Sequence, residues 1–383
     1  MTRAHVVRLS RIGEATADAW RGLSRRALEP NPYFDVDFLR ATHRHLAPGV
    51  DPLVMTAWDD ATLIGVLPCV ELPRWHGLPV RARTAAAPLG STVADLHTPL
   101  LAPEAALPAA AALLSAGTAG RAPVVVELPL LGADGEVRPT LERAARRLGA
   151  STRRWESGER GAVVPSGAAH AGAGRGVGAP VPVAVDDLVG HLSTSRRKSV
   201  RRTARALADA YGALTWRDRS ADPAAVDDFV QMETAGWKGR AERGGQGVAV
   251  LDGGTAWLRD LTDGLRAGGR LFVGELAAGD RPVYLTITYR SGGCWFGGRD
   301  AYDQDLQQFG PGVLGRLAEQ WWARGQGAAF LDSCVNPAVY PDTARLYPDR
   351  RGVVSLVVSR GLVGRGILAS SAAVHERRKA RAG

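Results

Sequence analysis

Residues 270–312 read RLFVGELAAGDRPVYLTITYRSGGCWFGGRDAYDQDLQQFGPG, and the order of signals in this stretch decides the fold. Arg270 to Leu276, Pro282 to Arg290 and Cys294 to Arg299 are extended, period-two runs. The turns between them, Ala278-Gly279-Asp280 and Ser291-Gly292-Gly293, are short and glycine-rich, so the runs predict an antiparallel meander. Next comes Gln307-Gln308-Phe309-Gly310-Pro311-Gly312, opening a helix over Val313 to Arg324. Its apolar positions Val313, Leu314, Leu317, Ala318 and Trp321 recur at helical spacing. Two glycines between a strand and a helix leave backbone N–H groups unscreened at the positive end of the helix dipole, which suits a phosphate. Pro311 removes one donor, so a cradle here must use its neighbours: Gln307, Gln308, Phe309, Gly310, Gly312 and Val313. A plain turn, with glycines placed for steric reasons, is the competing explanation.

Outward from this stretch the two halves of the chain repeat each other. Upstream, Pro223 to Ala235 is a predicted helix with Asp222 as N-cap and proline first, and Thr255 to Arg266 is a second, ending at Gly268-Gly269. In the first half Asp35 to Leu46 is helical by spacing. Strands follow at Pro52 to Trp58 and Thr62 to Leu72, turned at Asp59-Asp60, with a third extended piece near Arg81 to Ala87. Each half is helices, then a meander, then a further helix and strand, which is an α+β repeat. Pro165 to Pro180 (PSGAAHAGAGRGVGAP) has no apolar period and divides the halves as a linker or mobile loop. The expected organisation is a first domain over 1–164, this Gly/Ala-rich segment over 165–180, a second domain over 181–365 and a basic tail over 366–383.

Composition removes several classes. At 383 residues with 45% hydrophobic and 23% charged content, the chain is globular rather than disordered. No apolar run reaches the roughly 18 to 20 residues of a membrane span. Residues 1–14 alternate valine with arginine and lack a secretory core, so the expectation is a cytoplasmic protein. Cys69, Cys294 and Cys334 form no C-x-x-C pair and the eight histidines give no ligand spacing, so no metal site is expected. The net charge of +9 is local: six basic residues within 195–210 (SRRKSVRRTARALADA) and four within 375–383 supply most of it. A nucleic-acid-coating protein would spread a basic face over a whole domain.

Three segments together resemble a known family. The Q-x-x-G-x-G pattern over Gln307 to Gly312, placed after a three-strand meander, is similar to the pyrophosphate loop of the GNAT N-acyltransferase superfamily. Glu233-Thr234-Ala235-Gly236-Trp237-Lys238-Gly239-Arg240 resembles the E-x-x-G-W-K-G-R segment of two-domain acetyltransferases of the cellulose-biosynthesis type, relatives of the Fem peptidyltransferases. Leu331-Asp332-Ser333-Cys334, Asn336-Pro337 and Arg345 to Arg351 (RLYPDRR) are similar to the closing stretch of the same group, and the basic helix from Arg196 to Arg205 has a counterpart there. The resemblance covers about residues 30–360. It implies tandem GNAT-like domains, each a mainly antiparallel mixed sheet flanked by helices. The first half lacks the Q-x-x-G-x-G pattern, so only the second should bind a donor. That donor would be acyl-CoA or a phosphopantetheine thioester on a carrier protein, bound as co-substrate with no cofactor held tightly. The acyl group would lie between splayed strands, here Cys294 to Arg299 and Ala328 to Leu331.

Moving an acyl group from a thioester to an amine needs a base, donors for the developing oxyanion and a group to protonate the leaving thiolate. No G-x-S-x-G elbow is present, so direct attack by the amine is favoured over an acyl-enzyme. Candidate bases are Glu233, late on its helix, Asp332, at the end of a buried strand, and Asp300, after the third strand of the meander. Each also has a bland role: a helix carboxylate salt-bridged to Lys238 or Arg240, an N-cap, or a turn residue. Tyr302, Tyr340 and Tyr347 are candidate acids, while Trp237, Lys238 and Tyr340 are candidate acceptor contacts. Lys238 would hold a carboxylate or phosphate of either substrate. Cys334 reads as a buried thiol rather than a nucleophile. Of Trp321 and Trp322, successive on one helix, one should pack inward and the other face a groove.

The expected activity is thus N-acylation of a primary amine on a small molecule or peptide. Two rivals remain: an aminoacyl-tRNA-dependent peptide-bond former, and a non-catalytic scaffold with the same fold. The basic helix admits a solvated face, docking of an acidic carrier protein or the coenzyme A 3′-phosphate, or tRNA; its confinement and lack of interleaved aromatics argue against tRNA.

Overall fold

A computed structural model describes residues 2–86, 93–120, 124–164, 178–362 and 364–369. Residue 87, most of the expected linker (165–177) and the tail from 370 lie outside the described residues. The chain separates into two compact units, Met1–Gly158 with Gly352–Gly383, and Glu159–Arg351. Among the described residues no helix is long and apolar enough to cross a membrane.

The first unit runs β1 (Thr2–Arg8), α1 (Glu14–Arg26), α2 (Val36–His45), β2 (Leu53–Asp59), β3 (Thr62–Leu72), β4 (Arg81–Ala85), β5 (Leu100–Leu101), α3 (Ala106–Gly117), β6 (Val124–Gly132) and α4 (Val137–Arg147). Helix α2 starts one residue later than the expected Asp35 and ends one earlier than Leu46; Asp35 is its N-cap, the carboxylate accepting the Asp37 N–H. The strands β1 to β4 pair antiparallel in sequence order, whereas β4 pairs parallel to β6 in the register Arg81↔Val124 to Thr84↔Glu127. Trp20 from α1, Tyr33 and Phe34 from the turn that follows, and Phe38 and Leu39 from α2 are fully buried. The chain passes to the second unit within β7 (Ala150–Val163).

The second unit repeats that order. After β8 (Val181–Pro182), α5 (Val185–Val189) and α6 (Thr194–Tyr211) come β9 (Leu214–Asp218), α7 (Ala224–Ala235), α8 (Gly254–Ala267), β10 (Leu271–Ala278), β11 (Arg281–Ser291), β12 (Cys294–Tyr302), α9 (Pro311–Gly325), β13 (Leu331–Asp332) and α10 (Pro341–Ala344). Again the meander is antiparallel and its last strand pairs parallel to the next, β12 with β13. Each unit is therefore helices, a meander, a helix and a parallel strand, which is the tandem α+β arrangement expected. Gly292 and Gly293 both take positive φ (53° and 78°), as a two-residue turn between right-twisted strands requires. Helix α7 begins one residue later than predicted, and Asp222 still accepts the Ala224 N–H.

Two expectations shift. The strand predicted over Ala328 to Leu331 is reduced to Leu331–Asp332, where it pairs with β12 on one side and with Val163 and Ala162 of β7 on the other. The final strand β14 (Asp349–Arg360) pairs antiparallel with β6 from Val353 onward, so its residues from Gly352 group with the first unit. A continuous block over 181–365 misses that return, because a lone apolar run carries no sign of its partner.

The core of the second unit gathers Trp216, Phe272, Tyr284, Leu314, Leu317 and Trp322 between helices and sheet. Trp322 is buried, as one of the pair was expected to be, while Trp321 is half-buried and packs against the same core.

Candidate active site

At the start of α9, Gly310 adopts φ 65° and ψ 45°, the left-handed conformation, and serves as N-cap, with Pro311 at the first helical position. An L side chain rarely adopts that φ, and a Cβ built there would meet nothing within 4 Å. The backbone at this corner is thus bare and open. The Gly310 carbonyl accepts the N–H groups of Val313 (3.0 Å) and Leu314 (3.1 Å), and the Gly310 N–H donates to the Gln307 carbonyl. Among the described residues the Gly312 N–H has no acceptor. It points from the positive end of a 15-residue helix with no acidic residue in its first turn. Gln307 and Gln308 are exposed and Phe309, Gly310, Gly312 and Val313 half-buried, so the six residues of the expected cradle are together and unplugged.

Beside the loop lies a small open cleft lined among others by Glu233, Gly236, Trp237, Lys238, Tyr302 and Gln304. Tyr302 joins the two features: a Cβ on Gly312 would stand 3.2 Å from its ring. Further back on β12 the register with β11 slips between Ile287 and Thr288, so Gly298 bulges. The parallel pairing with β13 covers Trp295↔Leu331 and Phe296↔Asp332 and ends there, while β12 runs on toward the loop. One residue past that ladder the backbones are still close, since a Cβ on Gly297 would stand 2.7 Å from the Ser333 carbonyl oxygen.

The three candidate carboxylates occupy different electrostatic settings. Asp332 is fully buried and held by two guanidiniums, Arg160 Nε at 2.8 Å from Oδ1 and Arg351 Nη1 at 2.6 Å from Oδ2. Its Oδ1 also accepts the Cys334 N–H. Burial alone would raise its pKa, but Arg160 and Arg351 prevail and hold the carboxyl below its usual range. Every oxygen is engaged, which suits a structural anchor far better than a base. Asp300 is similar: Oδ1 accepts Lys238 Nζ at 2.8 Å and Oδ2 lies 2.9 Å from Arg316 Nη2. Burial opposes its charge, and Arg316 and Lys238 override it, bringing the carboxyl down to about 2. Lys238 also donates to the Asp300 carbonyl. Two of its contacts are thus to Asp300, while the side chain stays 24% exposed on the cleft. The same network continues to Glu319, buried on α9 with hydrogen bonds from Thr286 and Thr288, whose pKa burial raises.

Because the folded pKa of Asp300 lies below the unfolded value of about 3.9, its contribution to stability is complete above that value and lost as pH falls toward about 2. Urea midpoints measured from pH 5 to pH 2 should fall steeply, and Asp300→Asn should flatten that slope. An unchanged slope would remove Asp300 from the network.

Glu233, on the last turn of α7, differs. It is buried, and its Oε2 accepts the Val248 N–H at 2.6 Å, tying α7 to the segment that follows. Among the described residues its Oε1 makes no hydrogen bond; Arg299 Nη1 lies 3.6 Å away, and that guanidinium stacks over Trp257. Gln304 Oε1, on the same cleft, is also buried without a hydrogen-bond partner among the described residues. Trp237 is half-buried and lines the cleft, whereas Tyr340 is 46% exposed and does not. Tyr347 is buried near Arg316, and burial raises its pKa. Cys334 is half-buried with φ 53°, its backbone pinned by Asp332.

Sequence reasoning missed Arg160, Arg299, Arg316 and Gln304. Arg351 stood within the quoted RLYPDRR stretch without an assigned role. Arg316, one turn into α9, sits among buried positions and was detectable as a cation on an apolar face. Nothing near Arg160 in sequence signals its partner 172 residues away.

Residues 194–340 match the model of the acetyltransferase (GNAT) domain, a range that spans α6 to the loop before α10 and includes both the Gln307–Gly312 segment and the cleft. No curated protein matches the chain in sequence. Among solved structures, FemX superposes with a TM-score of 0.54 at 10% identity, covering 91% of this chain and 96% of FemX. A conserved protein of unknown function from Bacteroides thetaiotaomicron VPI-5482 superposes with a TM-score of 0.52 at 10% identity, covering 91% and 98%. At such identity the likeness concerns fold alone. Residues 194–340 are therefore an acetyltransferase domain of the GNAT superfamily, set in a tandem chain that shares the fold of FemX.

Proposed function

We propose that the second unit transfers an acyl group from a thioester on a phosphate-bearing pantetheine arm to a primary amine. The observation that carries this reading is the open, left-handed Gly310 corner at the start of α9, next to a cleft that shares Tyr302 with it. The amides around Gly310 and Gly312 would receive a phosphate, and the cleft the amine. The amine lone pair attacks the thioester carbonyl carbon and the C–S bond breaks. Glu233 takes the ammonium proton, directly or through a water, and Tyr302 protonates the departing thiolate. Glu233 is chosen because Asp332 and Asp300 are each saturated by two cations, whereas its Oε1 is left over. The oxyanion would meet a backbone N–H of the bulged stretch of β12.

Calorimetric titration with coenzyme A tests the cradle. Gly310→Val should weaken binding at least tenfold, since a β-branched residue is disfavoured at φ 65° and its methyls fill the open corner. Gly310→Ala, less strained, should lie between. Unchanged affinity in a folded variant would refute the phosphate site, and turnover that disappears on ribonuclease treatment would favour a tRNA donor.

A further inference from the structure

Helix α6 presents an unneutralised row of cations that the acyl-transfer site does not use. Its buried stripe is Val200, Ala204 and Leu207, and the opposite face carries Lys198, Arg201, Arg202 and Arg205, all exposed. Arg201 is paired with Asp186 at 2.6 Å, and Arg196 donates to the Asp342 carbonyl. Lys198, Arg202 and Arg205 have no carboxylate within ion-pair distance among the described residues. The row lies on the outer face of α6, while Tyr211 shares the side of the buried stripe; what brings the row near the loop is the C-terminal end of the helix. The last residue of α6, Tyr211, is 38% exposed and packs edge-on against Phe309, ring centroids 6.1 Å apart, immediately before Gly310. At about 1.5 Å rise per residue, Arg205 stands roughly 9 Å and Lys198 roughly 20 Å along the helix from that contact.

We infer that this face of α6 docks an acidic carrier protein, which delivers its acyl group on a phosphopantetheine arm to the adjoining loop. The inference rests on the acyl-transfer reading and extends it to the identity of the donor. Free coenzyme A has a single phosphate left once its pyrophosphate is held at the loop, and one phosphate does not need three unpaired cations spread over about two helical turns. The spacing 198, 202, 205 is a helical i, i+4, i+7 row, and its natural complement is a row of carboxylates on another helix. Nucleic acid fits less well, because the excess of cations over carboxylates is confined to residues 195–210 instead of being spread over the domain. Exposed pairs of this kind set association rate and partner choice more than they add affinity, so the readout should be salt-dependent kcat/KM.

The test compares two donors on the full-length chain, acetyl-CoA and an acetyl-loaded acyl carrier protein of bacterial fatty-acid synthesis. The variant is Lys198→Glu/Arg202→Glu/Arg205→Glu, with Lys198→Gln/Arg202→Gln/Arg205→Gln as the milder form. Charge reversal should lower kcat/KM for the carrier at least 30-fold and leave that for acetyl-CoA within twofold. The neutral variant should give an intermediate loss, and raising salt should reproduce it in the wild type. Equal losses with both donors would place the 3′-phosphate of coenzyme A on the row and overturn carrier docking. Carrier turnover that ignores both variants and salt, or no turnover of the carrier beside active acetyl-CoA turnover, would overturn it as well. Failure of both donors together with no coenzyme A binding would instead remove the acyl-transfer reading beneath it.

Discussion

Asp332→Asn should cost about 3–5 kcal/mol of unfolding free energy, the range for stripping one partner from a buried ion pair. The carboxylate is fully buried, and it offsets Arg160, whose side chain is 6% exposed, and Arg351, at 15%. Asparagine keeps the shape and can still accept the Cys334 N–H, yet it leaves two guanidiniums facing each other with no anion between them. The effect would therefore come from charge rather than volume, and urea unfolding monitored by tryptophan fluorescence reads it directly. Adding Arg160→Met should recover part of the loss, because the surplus charge falls with it. A loss below about 1 kcal/mol would show the triad to be dispensable. Activity separates this role from catalysis: corrected for the folded fraction, Asp332→Asn should leave the pH profile of kcat where it was. If a limb of that profile vanished, Asp332 would be a base after all.

That distinction between anchor and base was not open to sequence reasoning. Local signals carried the meander, the Gly310 corner and the Asp222 carboxylate at the start of α7, because period, turn length and N-cap chemistry are set within a few residues. They also carried the repeat, since each unit restates the same order of elements. Which carboxylate is already neutralised depends on partners far along the chain. Asp332 meets Arg160 from β7, and Asp300 meets Lys238 from the segment after α7 and Arg316 from α9. From sequence, Lys238 read as a substrate contact and Asp300 as a candidate base; in the fold the two are paired with each other. The brevity of β13 is a tertiary effect of the same kind. Its two residues are fixed by β12 and β7 on either side, not by their own propensity.

Glu233→Gln should lower kcat by about 10² to 10⁴, the span that general-base assistance contributes. The side-chain oxygen of glutamine can still accept the Val248 N–H, so the tie between α7 and the following segment survives, and the melting temperature should move little. The change removes the negative charge and with it the capacity to take a proton. It also leaves Arg299 with one fewer anion nearby, a loss softened by its stacking on Trp257 and its donation to the Gln246 carbonyl. The decisive readout is the shape of the rate profile rather than its height. In the wild type, kcat should fall on the acid side as the base becomes protonated; in Glu233→Gln that limb should be absent, while Glu233→Asp should keep it at reduced rate. Coenzyme A affinity should be equal in all three, because the phosphate loop lies on α9 and the carboxylate on α7. A variant with near-normal kcat and an unchanged acid limb would place the proton acceptor elsewhere, and would leave Glu233 as the residue that ties α7 to the Val248 segment.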